Sequence, residues 1–342
     1  MPQKILLVQT AFIGDAVLTT PLIKAVKKKF PDSKLSVLLI PETEGLLKNN
    51  PYVDEVIVYD KRRQDKSLHS FFQLVNKIRH ERFDLALVPH RSYRSSFLVF
   101  LSKIPERIGF DKNQASFFLT KKVIYQNSLH EIDRNLSLIE SNGLPIEEKL
   151  PELFPDKNNF AKAESFLSEN KISTNDKIVA IAPGSTWATK RWLPEGFARV
   201  ADGLIQNEKV KVIFIGGKGE EKLGYEISGL MQSEPVIAFG KLSLLESAAL
   251  LSKCKLLLAN DTALVHMAVA MKIPVVEIYG STVPAFGFYP YGDGHRIIEK
   301  NLPCRPCGIH GHQKCPLGHF RCMKEISAEE VYEAVVKKLK EI

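Results

Sequence analysis

Short apolar runs alternate with segments of helical spacing along this chain, and the alternation begins twice. In the first half, buried-type runs such as ILLV are each followed by a segment whose apolar residues recur every three or four positions. The pattern restarts at KIVAIAP (177–183), after the polar stretch 142–159 with its scattered prolines. Because alternating strands and helices favour a parallel sheet with helices on both faces, the sequence predicts an α/β protein with two doubly wound domains.

The same periodicity assigns the elements and the domain limits. Predicted strands cover 5–8, 35–39, 55–59, 85–89 and 107–110, then 177–183, 210–217, 235–240, 255–261 and 274–280. Predicted helices cover 17–30, 42–49, 67–79 and 92–101, then 194–207, 220–231, 244–253 and 263–271. A last amphipathic helix begins at Ser327, with Glu330 three residues later as in a capping box. We place the domains at 1–155 and 156–326, followed by the C-terminal helix 327–342.

Composition and charge narrow the class of protein. Of the 342 residues, 44% are hydrophobic and 25% are charged, as expected of a globular protein with enough apolar residues for two hydrophobic cores. We find no signal-peptide pattern and no apolar run long enough to span a bilayer, so we expect a cytoplasmic protein.

The basic residues are concentrated in the first half. Residues 1–150 carry 23 Lys and Arg against 17 acidic residues, whereas residues 151–342 carry 24 against 22. This surplus suits an anionic partner such as a phosphorylated substrate or a membrane surface, or else it is an ordinary solvated face. The segment KRRQDK (61–66) is the densest cluster. We find no aromatic-rich nucleic-acid motif and no basic helix with a strong apolar face, and we expect no nucleic-acid partner.

The stretch TAFIGDAV (10–17) places a carboxylate where the first strand gives way to a helix. Working residues of α/β sheets lie at such strand-to-helix turns, so Asp15 is a candidate catalytic residue. The alternative is structural, because Asp is also among the best residues for capping a helix N-terminus.

In the second half, the loop APGSTWATKRW (182–192) leaves a strand with groups suited to a diphosphate. Gly184 allows close approach of the backbone, Ser185 and Thr186 offer hydroxyls, and Lys190 offers a mobile charge. The alternative for Lys190 is a solvated surface lysine. Neither half contains G-x-G-x-x-G after its first strand or a P-loop, so neither motif supports nucleotide binding.

Two further loops of the second half carry polar residues after strands. Asn260, Asp261 and Thr262 are predicted to cap the next helix, whose free N–H groups suit an anion, with His266 one turn further on. The alternative is structural: residues 260–262 are then an ordinary helix cap, and His266 is a packed core residue. After FIGG (214–217), either Glu220 or Glu221 could hold ribose hydroxyls, and YGSTVPAFG (279–287) follows another strand on the same edge of the sheet.

Taken together, these motifs resemble a known family. FIGDAVLTTPLIKAV, PGSTWATKRW, NDTALVHMAVAMKIPVV and YGST, with RIGF and HEIDRNLSLIE, are similar to segments of the ADP-heptose:lipopolysaccharide heptosyltransferases of glycosyltransferase family 9. The tail CRPCGIHGHQKCPLGHFRCMKEIS is most similar to the heptosyltransferase II branch. The resemblance runs over nearly the whole chain.

The resemblance implies a GT-B fold, with two Rossmann-like domains facing across a cleft that holds the active site. The first domain would bind the lipopolysaccharide acceptor and the second the ADP-heptose, in an inverting transfer that needs no metal. Asp15 would be the catalytic base. The sugar-nucleotide site would comprise Ser185, Thr186, Lys190, Glu220, Asp261, Thr262, Ala263, Leu264 and His266. Ala263 stands where the family usually has glycine.

These implications lead to an expected function with alternatives. We expect heptose transfer from ADP-L-glycero-D-manno-heptose to the inner core of lipopolysaccharide, adding the second heptose, at the inner face of the cytoplasmic membrane. Lys61, Arg62 and Arg63 are expected to meet phosphates of the acceptor. The alternatives are another ADP-sugar transferase with a different acceptor, a sugar-nucleotide epimerase, and a nucleotide-sugar-binding protein without turnover.

Four of the five cysteines crowd the C-terminal region, at Cys304, Cys307, Cys315 and Cys322. In a cytoplasmic chain such a cluster favours metal over disulfides, and four thiolates would make a closed structural zinc site. Reduced or partly paired thiols are the alternative, and the nearby histidines 310, 312 and 319 could be ligands or polar loop residues. No cofactor is expected for catalysis. Cys254 is predicted to be a small core residue.

Overall fold

A computed structural model describes residues 1–60, 67–140, 146 and 148–342. The chain divides into two compact units, Met1–Phe154 and Pro155–Ile342. Each unit contains one parallel six-stranded sheet with helices, so the predicted α/β doubly wound architecture is confirmed.

The first unit begins with a strand whose residues Ile5, Leu6, Leu7 and Val8 are fully buried. Its strands are β1 (Lys4–Val8), β2 (Lys34–Leu39), β3 (Glu55–Val58), β4 (Leu85–Val88), β5 (Glu106–Phe110) and β6 (Lys121–Val123). Its helices are α1 (Ile13–Leu18), α2 (Thr20–Lys29), α3 (Pro41–Leu47), α4 (Leu68–Glu81), α5 (Tyr93–Leu101) and α6 (Glu131–Glu140). The strand order is β3-β2-β1-β4-β5-β6. The order reverses between β1 and β4, and ligands of such sheets bind outside the carboxyl ends of the strands at that point.

The second unit repeats this order with its own strands. They are β7 (Ile178–Ala182), β8 (Lys211–Phe214), β9 (Val236–Ile237), β10 (Leu256–Asn260), β11 (Val275–Tyr279) and β12 (Arg296–Glu299). Its helices are α7 (Lys157–Glu169), α8 (Pro194–Asn207), α9 (Glu221–Gly229), α10 (Leu244–Leu251), α11 (Ala263–Ala270), α12 (Arg321–Lys324) and α13 (Ala328–Glu341). The order β12-β11-β10-β7-β8-β9 puts its reversal between β7 and β10.

The core of the second unit includes the last helix of the chain. Val331 and Val335 of α13 are fully buried in the same cluster as Val200 of α8. The indole Nε1 of Trp192 donates to the Ile326 carbonyl at 3.2 Å, which fastens the segment before α13 to the start of α8. Cys254 is buried as predicted. No helix among the described residues is both long enough and apolar enough to cross a membrane.

The structure differs from the sequence prediction at several elements. The helix predicted over 17–30 is two helices, α1 and α2, and Pro21 lies in the first turn of the second. The hydroxyl of Thr19 donates to the Asp15 carbonyl at 2.7 Å, and that of Thr20 to the Val17 carbonyl at 2.8 Å, where the helices meet. The edge strands β6 and β12 were not predicted, because their short, lysine- or arginine-containing segments lack a strand pattern. Ser327 caps α13 as predicted, while Glu330 pairs with Lys300 at 2.6 Å.

Candidate active site

Asp15 lies just beyond the carboxyl end of β1, in the first turn of α1. The helix begins at Ile13, so Asp15 is the third helical residue and not the cap predicted as the alternative. Its Oδ2 accepts the Phe12 amide N–H at 3.2 Å, a bond that turns the carboxylate back over the helix start. Asp15 therefore supports the helix N-terminus through Phe12 and still presents a carboxylate at the ligand-binding edge of the sheet.

The pKa of Asp15 is far from that of an ordinary aspartate. Desolvation and, to a smaller extent, the nearby Glu131 carboxylate raise the pKa to about 7, against the opposing effects of the Phe12 amide and Arg91. A carboxylate of this kind accepts a proton near neutral pH far better than a solvated aspartate does. The environment of Asp15 thus suits a general base.

Glu131 is a second buried carboxylate of the first unit, at the start of α6. It accepts from Arg134 Nη1 at 2.8 Å and from the Tyr125 hydroxyl at 3.3 Å. Burial raises the pKa of Glu131, while Arg134 and Arg91 lower it. Burial and Glu131 also raise the pKa of Tyr125 to about 12, so the hydroxyl stays protonated. In the sequence Glu131 belongs to the motif HEIDRNLSLIE, and no local pattern predicts its interaction with Asp15.

A hydrogen bond from the buried Asn135 side chain explains why Asp15 and Glu131 lie near each other. Asn135 Nδ2 of α6 donates to the Leu18 carbonyl of α1 at 3.2 Å. Glu131 lies one turn before Asn135, and Asp15 lies three residues before Leu18. The bond therefore joins the end of the short helix α1 to the second turn of α6, one turn from each carboxylate.

The basic residues predicted to meet the acceptor are not part of this geometry. Lys61, Arg62 and Arg63 lie outside the described residues.

In the second unit, three predicted or neighbouring loops meet at Asp261, which directly follows β10. Lys190 Nζ lies 2.6 Å from Asp261 Oδ2, and both side chains are largely buried. The Thr282 hydroxyl donates to the same oxygen at 2.8 Å, and the Ser185 hydroxyl donates to the Asp261 carbonyl at 3.2 Å. The structure thus brings together the loops after β7, β10 and β11, as the parallel strand order requires.

The predicted helix cap has a different arrangement. Thr262 is the N-cap residue of α11, but its side chain makes no capping hydrogen bond in the described structure. Asn260 is fully buried: its Nδ2 donates to the Pro183 carbonyl at 2.7 Å, and its Oδ1 accepts the Trp192 amide at 3.0 Å. Asn260 and Asp261 therefore join loops to one another instead of capping, because their side chains are occupied by groups distant in sequence.

The remaining predicted residues of this region lie in the first two turns of α11 and in the β7 loop. Ala263 and Leu264 form the first turn of α11 and are half-buried, and His266 is buried one turn further on. Thr186 is exposed, and its carbonyl accepts from Gln313 Nε2 at 3.2 Å.

The two adjacent glutamates after β8 are distinguished by their contacts. Glu220 accepts the Gly217 amide at 2.9 Å and lies against Gly184, where an added Cβ would be 1.9 Å from Oε1. Glu221 faces Gly240 instead. Gly184 thus allows close approach of Glu220 to the β7 loop, and of the two glutamates only Glu220 contacts that loop.

Two features of this region gave no sequence signal. Glu277 is fully buried in the middle of β11, and burial together with nearby Asp261 raises its pKa well above the ordinary value. In addition, the cysteine-rich segment contacts the loops after β7 and β11: Thr189 N donates to the His312 carbonyl at 2.9 Å, and Arg305 Nη2 donates to the Thr282 carbonyl at 2.7 Å. An isolated glutamate in an apolar strand and a polar tail have no periodicity that predicts such contacts.

The four C-terminal cysteines are free thiols in the structure. Cys304 Sγ lies 3.9 Å from His319 Nε2, and Cys307 Sγ donates to the Cys304 carbonyl at 3.4 Å. Within the described ranges, no three His, Cys, Asp or Glu side chains converge as ligands of one metal ion. The geometry therefore does not fit the four-thiolate zinc site.

Comparison with known proteins adds to this geometry. The sequence profile of glycosyltransferase family 9 (heptosyltransferase) matches residues 71–318. Lipooligosaccharide heptosyltransferase 2 of Campylobacter jejuni is 26% identical over 339 residues, which is 98% of each chain. The crystal structure of a family 9 glycosyl transferase from Veillonella parvula has a TM-score of 0.90 at 24% identity, covering 99% of this chain and 98% of that one. ADP-heptose lipopolysaccharide heptosyltransferase II of Escherichia coli has a TM-score of 0.81 at 22% identity, covering 99% of both chains. These similarities confirm the GT-B fold.

Proposed function

This chain belongs to glycosyltransferase family 9, and from that premise we propose that it transfers heptose from ADP-L-glycero-D-manno-heptose to the inner core of lipopolysaccharide. The transfer would add the second heptose, in keeping with the names of relatives that match nearly the whole chain. The chain is a glycosyltransferase; the sugar, the acceptor and the residue roles that follow are the proposal.

The observation that carries the mechanism is the environment of Asp15. An inverting transfer needs a base on the acceptor hydroxyl while the nucleotide leaves from the opposite face of the sugar. Asp15 lies at the carboxyl end of a central strand, and desolvation and Glu131 raise its pKa to about 7. At neutral pH a large fraction of the molecules has a deprotonated Asp15 that can take the hydroxyl proton during attack.

The polar cluster of the second unit supports sugar-nucleotide binding. Lys190 supplies the positive charge for the diphosphate, and Asp261 keeps that charge in place at 2.6 Å before the ligand arrives. The first N–H groups of α11, at Thr262, Ala263 and Leu264, add partial positive charge. Ser185, Thr186 and His266 offer further hydrogen-bonding groups, and Glu220 is assigned to the ribose hydroxyls.

Departure of ADP then needs no metal ion in this proposal. The charge that develops on the leaving diphosphate meets Lys190 and the start of α11, which are held in place before the reaction. We therefore expect transfer to proceed undiminished in the presence of a chelator.

The acceptor and the location complete the proposal. The first unit would bind the anionic core oligosaccharide, with Lys61, Arg62 and Arg63 assigned to its phosphates because of the basic surplus in residues 1–150. The acceptor is anchored in a bilayer, so the protein would work in the cytoplasm at the inner face of the membrane.

One assay separates the proposal from its alternatives. The protein is incubated with ADP-heptose alone and with a panel of truncated core oligosaccharides, and ADP release and product mass are measured. We expect ADP only when an acceptor bearing one heptose is present. Conversion of the sugar nucleotide without acceptor would identify an epimerase, binding without turnover a non-catalytic protein, and transfer only to other acceptors a different transferase.

A further inference from the structure

The first unit carries an aromatic patch on its surface, formed by Phe72 of α4, Tyr93, Phe97 and Phe100 of α5, and Phe117 and Phe118 of the turn before β6. The Phe117 side chain is 67% exposed. Phe72, Tyr93 and Phe100 are also exposed. Large apolar side chains scattered singly need no explanation, but a contiguous group indicates an interaction surface.

Ring contacts make this aromatic patch continuous, and Phe72 joins it through buried Phe71, whose ring centroid lies 5.8 Å from that of Phe72 and 6.0 Å from that of Phe97. Phe118 lies at its centre, 4.2 Å from the Phe117 ring, 4.5 Å from that of Phe100 and 5.3 Å from that of Phe97, measured between ring centroids. The ring of Tyr93 lies 5.7 Å from Phe97 on the same helix face. Three separate elements therefore present one apolar surface, which is why no single helix of the sequence showed a basic amphipathic pattern.

Two arginines lie beside the aromatic patch, and hydrogen bonds hold both of them. Arg107 Cζ lies 5.7 Å from the Phe100 ring centroid, and its Nε donates to the Phe118 carbonyl at 2.7 Å. Arg79 Nη2 donates to the Leu101 carbonyl at 2.6 Å, at the end of α5, and Lys103 follows two residues later and is exposed. Residues 91–124 contain seven Lys and Arg but two acidic residues. Arg79, Lys103 and Arg107 form what we call the basic rim.

We propose that the aromatic patch and the basic rim form a docking surface for an anionic lipid bilayer. Aromatic rings favour the boundary between water and acyl chains, and Lys and Arg beside them are attracted to anionic headgroups. A second copy of the chain fits less well, because a two-fold interface would place each basic rim against another of the same charge. The proposed function places the protein at the membrane, and this surface names the residues that hold it there, so the inference rests on the proposed function, while its test measures membrane binding alone.

The test uses the full-length protein, without sugar nucleotide or acceptor, and sucrose-loaded vesicles. Vesicles of phosphatidylcholine are compared with vesicles containing roughly equal parts of phosphatidylcholine and phosphatidylglycerol, and bound protein is measured by co-sedimentation. We expect binding to the anionic vesicles alone, lost near 1 M salt, where the Debye length is about 3 Å. Absence of binding at low salt, or equal binding to both vesicles, would overturn the proposal.

Two variants assign the binding to this surface. Phe72→Ser with Phe117→Ser should lower the vesicle partition coefficient at least tenfold, and Arg79→Gln with Lys103→Gln should lower it by about fivefold for each charge removed. The matched controls are Tyr225→Ser with Leu230→Ser, which are 63% and 50% exposed in the second unit, and the exposed Lys222→Gln. Equal losses in variants and controls would refute the assignment.

The same samples exclude misfolding and self-association as the cause. Circular dichroism and the melting temperature identify any variant that fails to fold. If the ring variant does not fold, the result of the charge variant decides the test. Light scattering measures the mass of the wild type. A dimer that the ring substitutions dissociate would mean that the aromatic patch binds a second copy, and the proposal would be wrong. Because no transfer is measured, failure here leaves the proposed glycosyltransferase activity to its own assay.

Discussion

The two units share one strand order, and each has a carboxylate near the point where that order reverses. The surroundings of these two carboxylates are opposite in kind. In the second unit, Asp261 follows β10 and is paired with Lys190 at 2.6 Å and with the Thr282 hydroxyl at 2.8 Å. In the first unit, Asp15 follows β1, makes no ion pair among the described residues, and lies near the second carboxylate Glu131. Neighbouring charge therefore makes one carboxylate an anchor for a cation and leaves the other ready to accept a proton.

The comparison shows how one topology provides two kinds of chemistry. The carboxylate paired with Lys190 holds that cation in place for an anion, whereas a desolvated carboxylate near a like charge has a raised pKa. If this contrast is correct, substitutions in the first unit should change the reaction step, and substitutions in the second should change binding of the sugar nucleotide.

The largest effect is expected for Asp15→Asn. The amide keeps the size and can still accept the Phe12 amide bond, but it has no useful proton affinity. Turnover should fall by roughly 10²–10⁴, with the affinity for ADP-heptose unchanged. Measured turnover beside calorimetric affinity checks this, with the exposed Asp32→Asn as the matched control. A stable Asp15→Asn protein with wild-type turnover would mean that Asp15 serves the helix alone.

Stability against pH gives the same substitution a second readout. The folded-state pKa of Asp15 is raised to about 7 from an ordinary value of 3.8. Between these pH values the folded wild type binds more protons than the unfolded chain, so this group's contribution to stability declines as the pH rises. Asp15→Asn should therefore gain stability relative to the wild type from pH 4 to pH 7, as measured by melting temperature. A constant difference would argue against the raised pKa.

The next largest effect is expected for Lys190→Ala. Removing this charge should weaken binding of ADP-heptose by about ten- to hundredfold, the range expected when a hydrogen bond involving a charged group is lost. Calorimetry with ADP measures it, and the exposed Lys177→Ala is the control in the same unit. Unchanged affinity would remove the second unit's polar cluster from the sugar-nucleotide site.

A smaller effect is expected for Glu131→Gln, which tests the coupling between the two carboxylates. Glutamine can still accept from Arg134 but removes the negative charge that raises the pKa of Asp15. Other charged or titratable groups near the two carboxylates are Arg91 and Tyr125. The acid limb of the pH–kcat profile should move to lower pH, while the affinity for ADP-heptose stays constant. Glu140→Gln, on the same helix, is the control, and an unmoved profile would contradict the coupling.

Replacing Lys61, Arg62 and Arg63 by Ala is expected to change the acceptor KM severalfold and to leave the other kinetic constants unchanged. Losing three cations should raise the acceptor KM at low salt without changing binding of ADP-heptose, because exposed charges act over about a Debye length. Kinetics with a delipidated acceptor keep membrane binding out of the measurement. Unchanged acceptor kinetics would make this segment an ordinary solvated face.

The smallest effect is expected on removal of metal. Since the described His, Cys, Asp and Glu side chains offer no convergent set of ligands, chelator should leave both the melting temperature and transfer unchanged. Metal analysis of protein purified without chelator should find well under one zinc per chain. Thiol titration after unfolding should find Cys304, Cys307, Cys315 and Cys322 free, since Cys322 is buried in the folded protein and its pKa is raised to about 11. Near-stoichiometric zinc would mean that these residues rearrange around an ion.

The sequence by itself determined the fold class and the loops that carry polar groups. Apolar periodicity predicted ten of the strands in their order, because a strand buried on both faces needs a continuous apolar run wherever it lies. Parallel order then requires the loops after β7 and β10 to share an edge, so Lys190 and Asp261 could be predicted as neighbours in one site.

Only the tertiary structure decided which charges meet. The bond between Asn135 and the Leu18 carbonyl places Glu131 near Asp15 across more than a hundred residues of chain, and contact with Gly184 selects Glu220 over Glu221. The aromatic patch is likewise assembled from three elements. Periodicity shows only which side of its own helix or strand a residue occupies. A pKa shift, an ion pair or a surface patch depends on residues of other elements, and only tertiary packing brings these residues together.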